Sequence, residues 1–345
     1  MKTETGPRVA IVGVSGAVGM EFLKVLKQRD FPYRGMKMLA SKRSAGKEVK
    51  FDGDTYVIEE LTEASFDDVD IALFSAGGSI SKKFGPLAAE KGVVVVDNSS
   101  AFRMTEGVPL VIPEINPDHM AHIKLGSGKG AIIANPNCST IIALMAVTPL
   151  HRHKAVKRMV ASTYQAASGA GQAAMEELVQ QTREVLDGKP VTQEIFPFQY
   201  AFNCFSHNSP LDVELGYNEE EMKLTKETAK IWADDKPRIS GMCIRVPVMR
   251  AHAESINLEF YEDFDWQEAK DVLSKAPGIK VLDDRANNRF PMPLDATGGD
   301  EVWVGRIRQD ISQEGKRGLD IFIAGDQIRK GAALNAVQVA ELLVK

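Results

Sequence analysis

Residues 8 to 29, RVAIVGVSGAVGMEFLKVLKQR, place an apolar strand, a glycine-rich turn and an amphipathic helix in direct succession. A strand that is apolar at every position has to be covered on both faces, and a strand that runs straight into a helix reaches its next neighbour by a crossover. The segment therefore dictates a parallel, doubly wound sheet. The runs MKMLAS, DIALFSAG, VVVVDNSS and AIIANPN repeat the pattern, which ends with residue 136. Beyond it the texture changes. A helical STIIALMAVTPL leads to the strand KRMVASTYQ, the helix GAGQAAMEELVQQTREVL, a polar and aromatic loop over 188–216, and a helix at NEEEMKLTKETAKIW. Strand patterns follow at MCIRVPVM, ESINLEFYE, VWVGRIRQDIS and LDIFIAGD, with QEGKRG as the hairpin turn between the last two. The expectation is an α/β chain: a Rossmann-like doubly wound domain over 1–136, rejoined by an amphipathic helix within 328–345, and an α+β domain over 137–327 with a largely antiparallel sheet.

Composition removes several function classes. The 345 residues carry 42 Lys and Arg against 47 Asp and Glu, a net charge of −5, so there is no broad basic footprint for nucleic acid. The N-terminus lacks the apolar core of a signal peptide, and no segment approaches the roughly 18 apolar residues of a membrane span. The reading is a cytoplasmic protein with no membrane partner. Three cysteines, Cys138, Cys204 and Cys243, are an odd number, so one stays outside any disulfide. The six histidines show no metal-ligand spacing, and no metal is expected.

Gly13, Gly16 and Gly19 lie between the first strand and the first helix. Glycine there lets backbone N–H groups approach a pyrophosphate at a helix N-terminus, whose dipole favours negative charge; a bare turn without ligand is the alternative. At the end of the next strand, where an NAD-binding chain carries Asp or Glu for the ribose, this one has Ser41, Lys42, Arg43 and Ser44. Those donors suit a 2'-phosphate, and the cofactor expected is NADP.

Asn137 is a good N-cap, which puts Cys138 in the first turn of a helix, where the dipole favours a thiolate. The competing reading is a small buried hydrophobe, and for Cys204 and Cys243 that reading prevails. Gln165 ends a strand ahead of a small-residue loop. RVPVMRAHAES supplies Arg245, able to clamp a carboxylate, and His252, able to accept a thiol proton, on an extended segment that a bend at Pro247 folds back.

With GVSGAVG, SKRSAGK, FSAGGS, VVVDNSSAFRM, VIPEINP, NPNCST, STYQAASGAG, EEMKLTKET, RVPV with a following His, and RKGAALNAVQ in one order, the chain closely resembles the aspartate-semialdehyde dehydrogenase family. The resemblance implies Cys138 as acylated nucleophile, His252 as general acid/base, Gln165 as orienting residue and Asn137 near the reacting carbonyl. It implies Arg103 and Lys223 as phosphate ligands, Arg245 on the substrate α-carboxylate and Glu220 on its α-amine. Cofactor contacts carry over to Ser15, Gly16, Ala17, Val18, Arg43, Ser44, Ser168, Gly169 and Gln327. Two departures stand out: Ala251-His252-Ala253 where the family usually has Gly-His-Ser, and Gln327 where Asn is common.

The implied reaction joins 4-phospho-L-aspartate and NADPH to L-aspartate 4-semialdehyde, phosphate and NADP, a step towards lysine, threonine and methionine. It implies a catalytic and dimerisation domain over 137–327 and a homodimer or homotetramer. Rival readings are an N-acetyl-glutamyl-phosphate or acyl-CoA reductase of the same architecture, against which Glu220 speaks because only a free amine calls for a carboxylate, and an NADP-binding homologue without catalysis.

Overall fold

A computed structural model describes residues 1–344 and divides them into two compact units, residues 1–137 with 332–345 and residues 138–331. In the first unit the order is β1 (Arg8–Val12), α1 (Ala17–Gln28), β2 (Gly35–Ala40), β3 (Glu48–Phe51), β4 (Asp54–Val57), β5 (Glu59–Glu60), β6 (Ile71–Phe74), α2 (Gly78–Glu90), β7 (Val94–Asp97) and β8 (Ala131–Ala134). Six strands form one sheet in the order β5-β2-β1-β6-β7-β8, every pair parallel. Along β1, Val9 and Ile11 join one core and Ala10 and Val12 another, which is why the strand reads as an unbroken apolar run. The hairpin β3–β4, turning at Asp52 and Gly53, is an addition that the sequence reading passes over.

The second unit runs α3 (Cys138–His153), β9 (Val156–Gln165), α4 (Gln172–Leu186), β10 (Phe205–Ser206), α5 (Glu219–Trp232), β11 (Arg238–Arg245), β12 (His252–Phe260), α6 (Trp266–Lys275), β13 (Ile279–Val281), α7 (Pro293–Ala296), β14 (Val302–Gln309) and β15 (Gly318–Gly325). Its seven strands order as β10-β11-β9-β12-β15-β14-β13. The sheet is mixed. Most pairs are antiparallel, including the β14–β15 hairpin, but β11 runs parallel to β9 and β13 parallel to β14. Arg245 and His252 are thus not neighbours on a folded-back ribbon: β11 and β12 flank β9 on opposite sides. The chain closes with α8 (Leu334–Val344) in the first unit, where Asn335 donates to Val111 O at 2.9 Å and Asn135 Oδ1 at 2.7 Å.

One residue in this sheet is out of keeping with its surroundings. Glu254 in β12 is 0% exposed, and neither carboxyl oxygen has a hydrogen-bond partner. It lies opposite Thr163 of β9 and Ile323 of β15, two residues from His252 and so on the same face. That face is covered by α3, since a side chain at Gly325, the partner of His252, would run into Ile142. Burial first, and the charge of Glu220 second, hold the Glu254 carboxyl well above the usual carboxylate range, which favours its protonated form. A folded-state value above the unfolded one means that stability is fully present below about pH 4.3 and drains away as pH climbs towards the folded-state value. Glu254→Gln removes that loss. Its melting temperature should match wild type near pH 4 and exceed it increasingly towards pH 7, by roughly 2 to 4 °C per kcal/mol. A difference that stays constant over this range in thermal melts would contradict a protonated Glu254.

Candidate active site

In the first unit a cleft of about 480 Å³ is lined by Gly13, Ser15, Gly16, Ser41 and Lys42 together with Ser75, Ala76 and Glu60. Gly13 has φ +86°, and a Cβ there would sit 2.2 Å from Ser75 O; a Cβ at Gly19 would sit 2.2 Å from Gly13 O. The turn is therefore as tight as the glycine pattern requires. Gly16 occupies the N-cap of α1 with no side-chain cap, and no acidic residue lies in the first turn, which Ala17 and Val18 open. Such a helix end suits a phosphate, so the cleft fits a dinucleotide. Ser44 is buried, its N–H donating to Ser41 O at 2.8 Å, and Arg43 is exposed; neither lines the cleft. Glu60, a carboxylate at the end of β5, does line it and was not foreseen. Also in this unit, Arg103 is buried and donates through Nε to Asn135 O and through Nη2 to Asn98 O, both at 2.9 Å. Asn137 is buried directly ahead of α3.

In the second unit the ends of β9, β11 and β12 bring the predicted residues together. Cys138 is the first residue of α3, half-buried, with Sγ 3.6 Å from His252 Nε2. His252 opens β12 and is completely buried. Its Nδ1 accepts the Ala166 N–H at 3.1 Å. Because that donor cannot act as an acceptor, the neutral ring must carry its proton on Nε2, facing the sulfur. Burial, reinforced by the Arg245 charge and opposed by Glu220, pulls the ring down to about 3. With that tautomer the ring presents a hydrogen-bond donor to Cys138.

Gln165 ends β9, buried, with Nε2 within reach of Ser139 Oγ at 3.1 Å, Thr163 Oγ1 at 3.2 Å and Glu220 Oε1 at 3.4 Å. Arg245 lies directly across from Gln165 and is 5% exposed. Glu220 stands in the first turn of α5, which Asn218 caps by a reciprocal box with Glu221. Its Oε2 accepts from Lys223 Nζ at 2.9 Å.

Two glycines make room for this cluster. A Cβ at Gly169 would approach His252 Cε1 to 3.1 Å and Arg245 Nη1 to 3.3 Å, so the short turn carrying Ser168 and Gly169 rests on both. A Cβ at Gly331 would lie 2.8 Å from the Cβ of Cys138, a constraint the sequence reading missed although RKGAALNAVQ contains it. Gln327 bonds Ser168 Oγ through Nε2 and accepts the Ala251 N–H at 3.0 Å. Ala251 has φ +68°, the left-handed region that favours glycine, so the Ala-His-Ala departure keeps the backbone shape at a cost of about 1 kcal/mol. The remaining cysteines stay outside this arrangement: Cys204 is exposed, and burial pushes the Cys243 thiol far up. No group of three or more His, Cys, Asp or Glu among the described residues is placed to hold a metal, and no helix among them is long and apolar enough to cross a membrane.

The chain matches two family models, "Semialdehyde dehydrogenase, NAD binding domain" over residues 8–123 and "Semialdehyde dehydrogenase, dimerisation domain" over residues 147–330. Aspartate-semialdehyde dehydrogenase of Synechocystis sp. is 53% identical over 98% of this chain and 97% of that protein. The enzyme of Aquifex aeolicus is 50% identical over 99% and 98%. Among solved structures, aspartate semialdehyde dehydrogenase II of Vibrio cholerae superposes with a TM-score of 0.93 at 43% identity, covering 99% of both chains. Likeness of this extent, at half identity along nearly the whole length, leads to one conclusion: the chain belongs to the aspartate-semialdehyde dehydrogenase family, phosphorylating oxidoreductases that act on an aldehyde group with a nicotinamide cofactor.

Proposed function

We propose that the chain interconverts 4-phospho-L-aspartate and L-aspartate 4-semialdehyde with NADP, through a thioester on Cys138. The observation that carries this reading is the 3.6 Å contact between Cys138 Sγ and Nε2 of the buried His252. In the biosynthetic direction the sulfur attacks the acyl carbon, the C–S bond forms, and collapse of the tetrahedral adduct breaks the C–O bond to phosphate, which takes up one proton from solvent as it leaves. Bound NADPH supplies the hydride that reduces the thioester carbonyl. The resulting alkoxide expels the sulfur, breaking the C–S bond and releasing the aldehyde. No proton has to be placed on that alkoxide. Nε2–H of His252 serves as a donor throughout, to the attacking sulfur and to the oxyanion of each adduct, and a donor fixed in advance is the form of help that costs no reorganisation.

Gln165, held by Ser139 and Thr163, orients the acyl group, and Asn137 stands by the reacting carbonyl. Arg245 takes the α-carboxylate and Glu220 the α-amine; Arg103 and Lys223 take phosphate, on the family resemblance. The solved Vibrio cholerae enzyme complexed with ASA, 43% identical, supports a semialdehyde substrate for this chain. NADP rather than NAD is favoured by Ser41, Lys42, Arg43 and Ser44, against which only Glu60 stands in the cleft. Ser168, Gly169 and Gln327 are read as further cofactor contacts. The chain is taken to act as a cytoplasmic homodimer, or as a tetramer of two such dimers.

The direct test is spectrophotometric. Purified chain with L-aspartate 4-semialdehyde, phosphate and NADP should generate NADPH absorbance that depends on phosphate, and its absence would sink the reading. Cys138→Ser should lose turnover by orders of magnitude while keeping its melting temperature and its affinity for NADPH. Retained turnover, or a large fall in melting temperature, would return Cys138 to a packing role. Arg43→Ala should weaken NADPH binding roughly 10- to 100-fold in a fluorescence titration and barely touch NADH binding. Equal weakening of both would remove Arg43 from the 2'-phosphate.

A further inference from the structure

The 188–216 loop, which offers no periodicity in the sequence, brings His207 against Arg245. The short strand β10 pairs Phe205 with Arg245 and Ser206 with Ile244, and the His207 N–H continues the ladder to Cys243 O at 2.8 Å. From there His207 Nε2 lies 2.7 Å from Arg245 Nη2. A guanidinium can only donate, so Nε2 is the acceptor and Nδ1 bears the proton. The Ser209 N–H approaches Nδ1 at 3.2 Å, so donors stand at both ring nitrogens; the neutral ring can accept only one of them, and the shorter bond from Arg245 is the one that holds it. Burial, then the charge of Arg245, with Lys223 adding to it and Glu220 opposing, pushes His207 down to about 4. The ring is neutral at neutral pH.

Arg245 itself is oddly supplied for a buried cation. Among the described residues no carboxylate forms an ion pair with it. Its Nε is buried without a partner, Nη1 reaches Ala166 O only at 3.4 Å, and the ring of Phe196 stands 5.5 Å from its Cζ. Burying a guanidinium is costly, and here every group that touches it is neutral. Neutral acceptors fix the direction of the planar fork without cancelling its charge, whereas an Asp or Glu in the same place would compete with an anionic ligand. The same short segment also reaches the other charged group of the pocket. Ser209 Oγ accepts the Glu220 N–H at 3.2 Å, and the His207 carbonyl accepts from Asn218 Nδ2 at 3.4 Å. Residues 207 to 209 thus tie Arg245 and Glu220 to a common spacer.

We propose that His207 is a positioning and specificity residue of the substrate-binding pocket: a neutral acceptor that aims the Arg245 fork and leaves its charge available for the substrate carboxylate. This rests on the reading that Arg245 takes the α-carboxylate. His207 touches no reacting atom, so its effect belongs in KM and not in kcat.

The experiment is a series at His207 with one control at Arg245, each variant first checked for wild-type melting, with kcat and KM measured for L-aspartate 4-semialdehyde. His207→Leu, which removes the acceptor, should raise KM roughly 10-fold with kcat within a few-fold of wild type. His207→Gln, which offers a neutral amide oxygen, should recover most of that loss. His207→Glu, which places a carboxylate on Arg245, should be the worst, with KM raised roughly 100-fold. A glutamate variant no worse than the leucine variant would overturn the proposal, as would wild-type KM in both or losses confined to kcat. Arg245→Gln separates the two levels. If it raises KM while the His207 variants do not, His207 has no such role; if Arg245→Gln itself keeps wild-type KM, the carboxylate assignment fails and the proposal falls with it.

Discussion

A single backbone N–H governs the chemistry of this pocket. Ala166, the first residue after β9, donates to Nδ1 of His252 and thereby decides that the neutral imidazole turns its proton towards Cys138. Everything around the ring reinforces the choice. It is wholly buried, Arg245 is close enough to disfavour a second positive charge, and the Ser168–Gly169 turn packs on it so closely that a side chain at 169 would press on the ring. Gln327 fixes the other approach, holding Ser168 with one end of its amide and Ala251 with the other. A sulfur at a helix N-terminus that faces a fixed N–H donor is favoured as an anion from two directions.

Two charges of the pocket, Arg245 and Glu220, are buried. Arg245 and Glu220 would be costly in an apolar interior, and each is held by groups that do not cancel it fully: His207, Ala166 O and Phe196 around the arginine, Lys223 and Gln165 around the glutamate. Glu254 shows what becomes of a carboxyl with no such support. Fully buried and unpartnered beneath the same face, it is pushed towards its protonated form. The two carboxyls of this domain differ in their partners: Glu220 has Lys223 and Gln165, and the oxygens of Glu254 have none.

Much of this was legible in the sequence, for reasons that differ by region. The parallel sheet of the first unit could be read because β1, β6 and β7 are buried on both faces, and Gly13, Gly16 and Gly19 stand where tight approach demands them. Cys138 could be placed on a helix end because Asn137 and the apolar run after it are local signals. The pairing of β11 with β9 in parallel was not legible, since strand direction is set by a crossover through α4, α5 and a long loop rather than by any residue pattern. His207 lay hidden for the same reason: a two-residue edge strand without periodicity carries it to Arg245. Glu254 did leave a signal, two positions beyond His252 in an alternating strand, but burial of an acid is something that pattern alone argues against. The role of His252 was only half legible, because residue type implies proton transfer while the tautomer depends on a backbone contact 86 residues away in sequence.

The central claim is that His252 rests neutral with its proton on Nε2, as a donor to Cys138. Nitrogen-15 NMR of the ring, with His252→Asn to assign its signals, reads this directly. The account predicts a neutral Nε2–H tautomer throughout the range from pH 6 to pH 8. A Nδ1–H tautomer, or an imidazolium signal at neutral pH, would contradict it and restore a proton-accepting histidine.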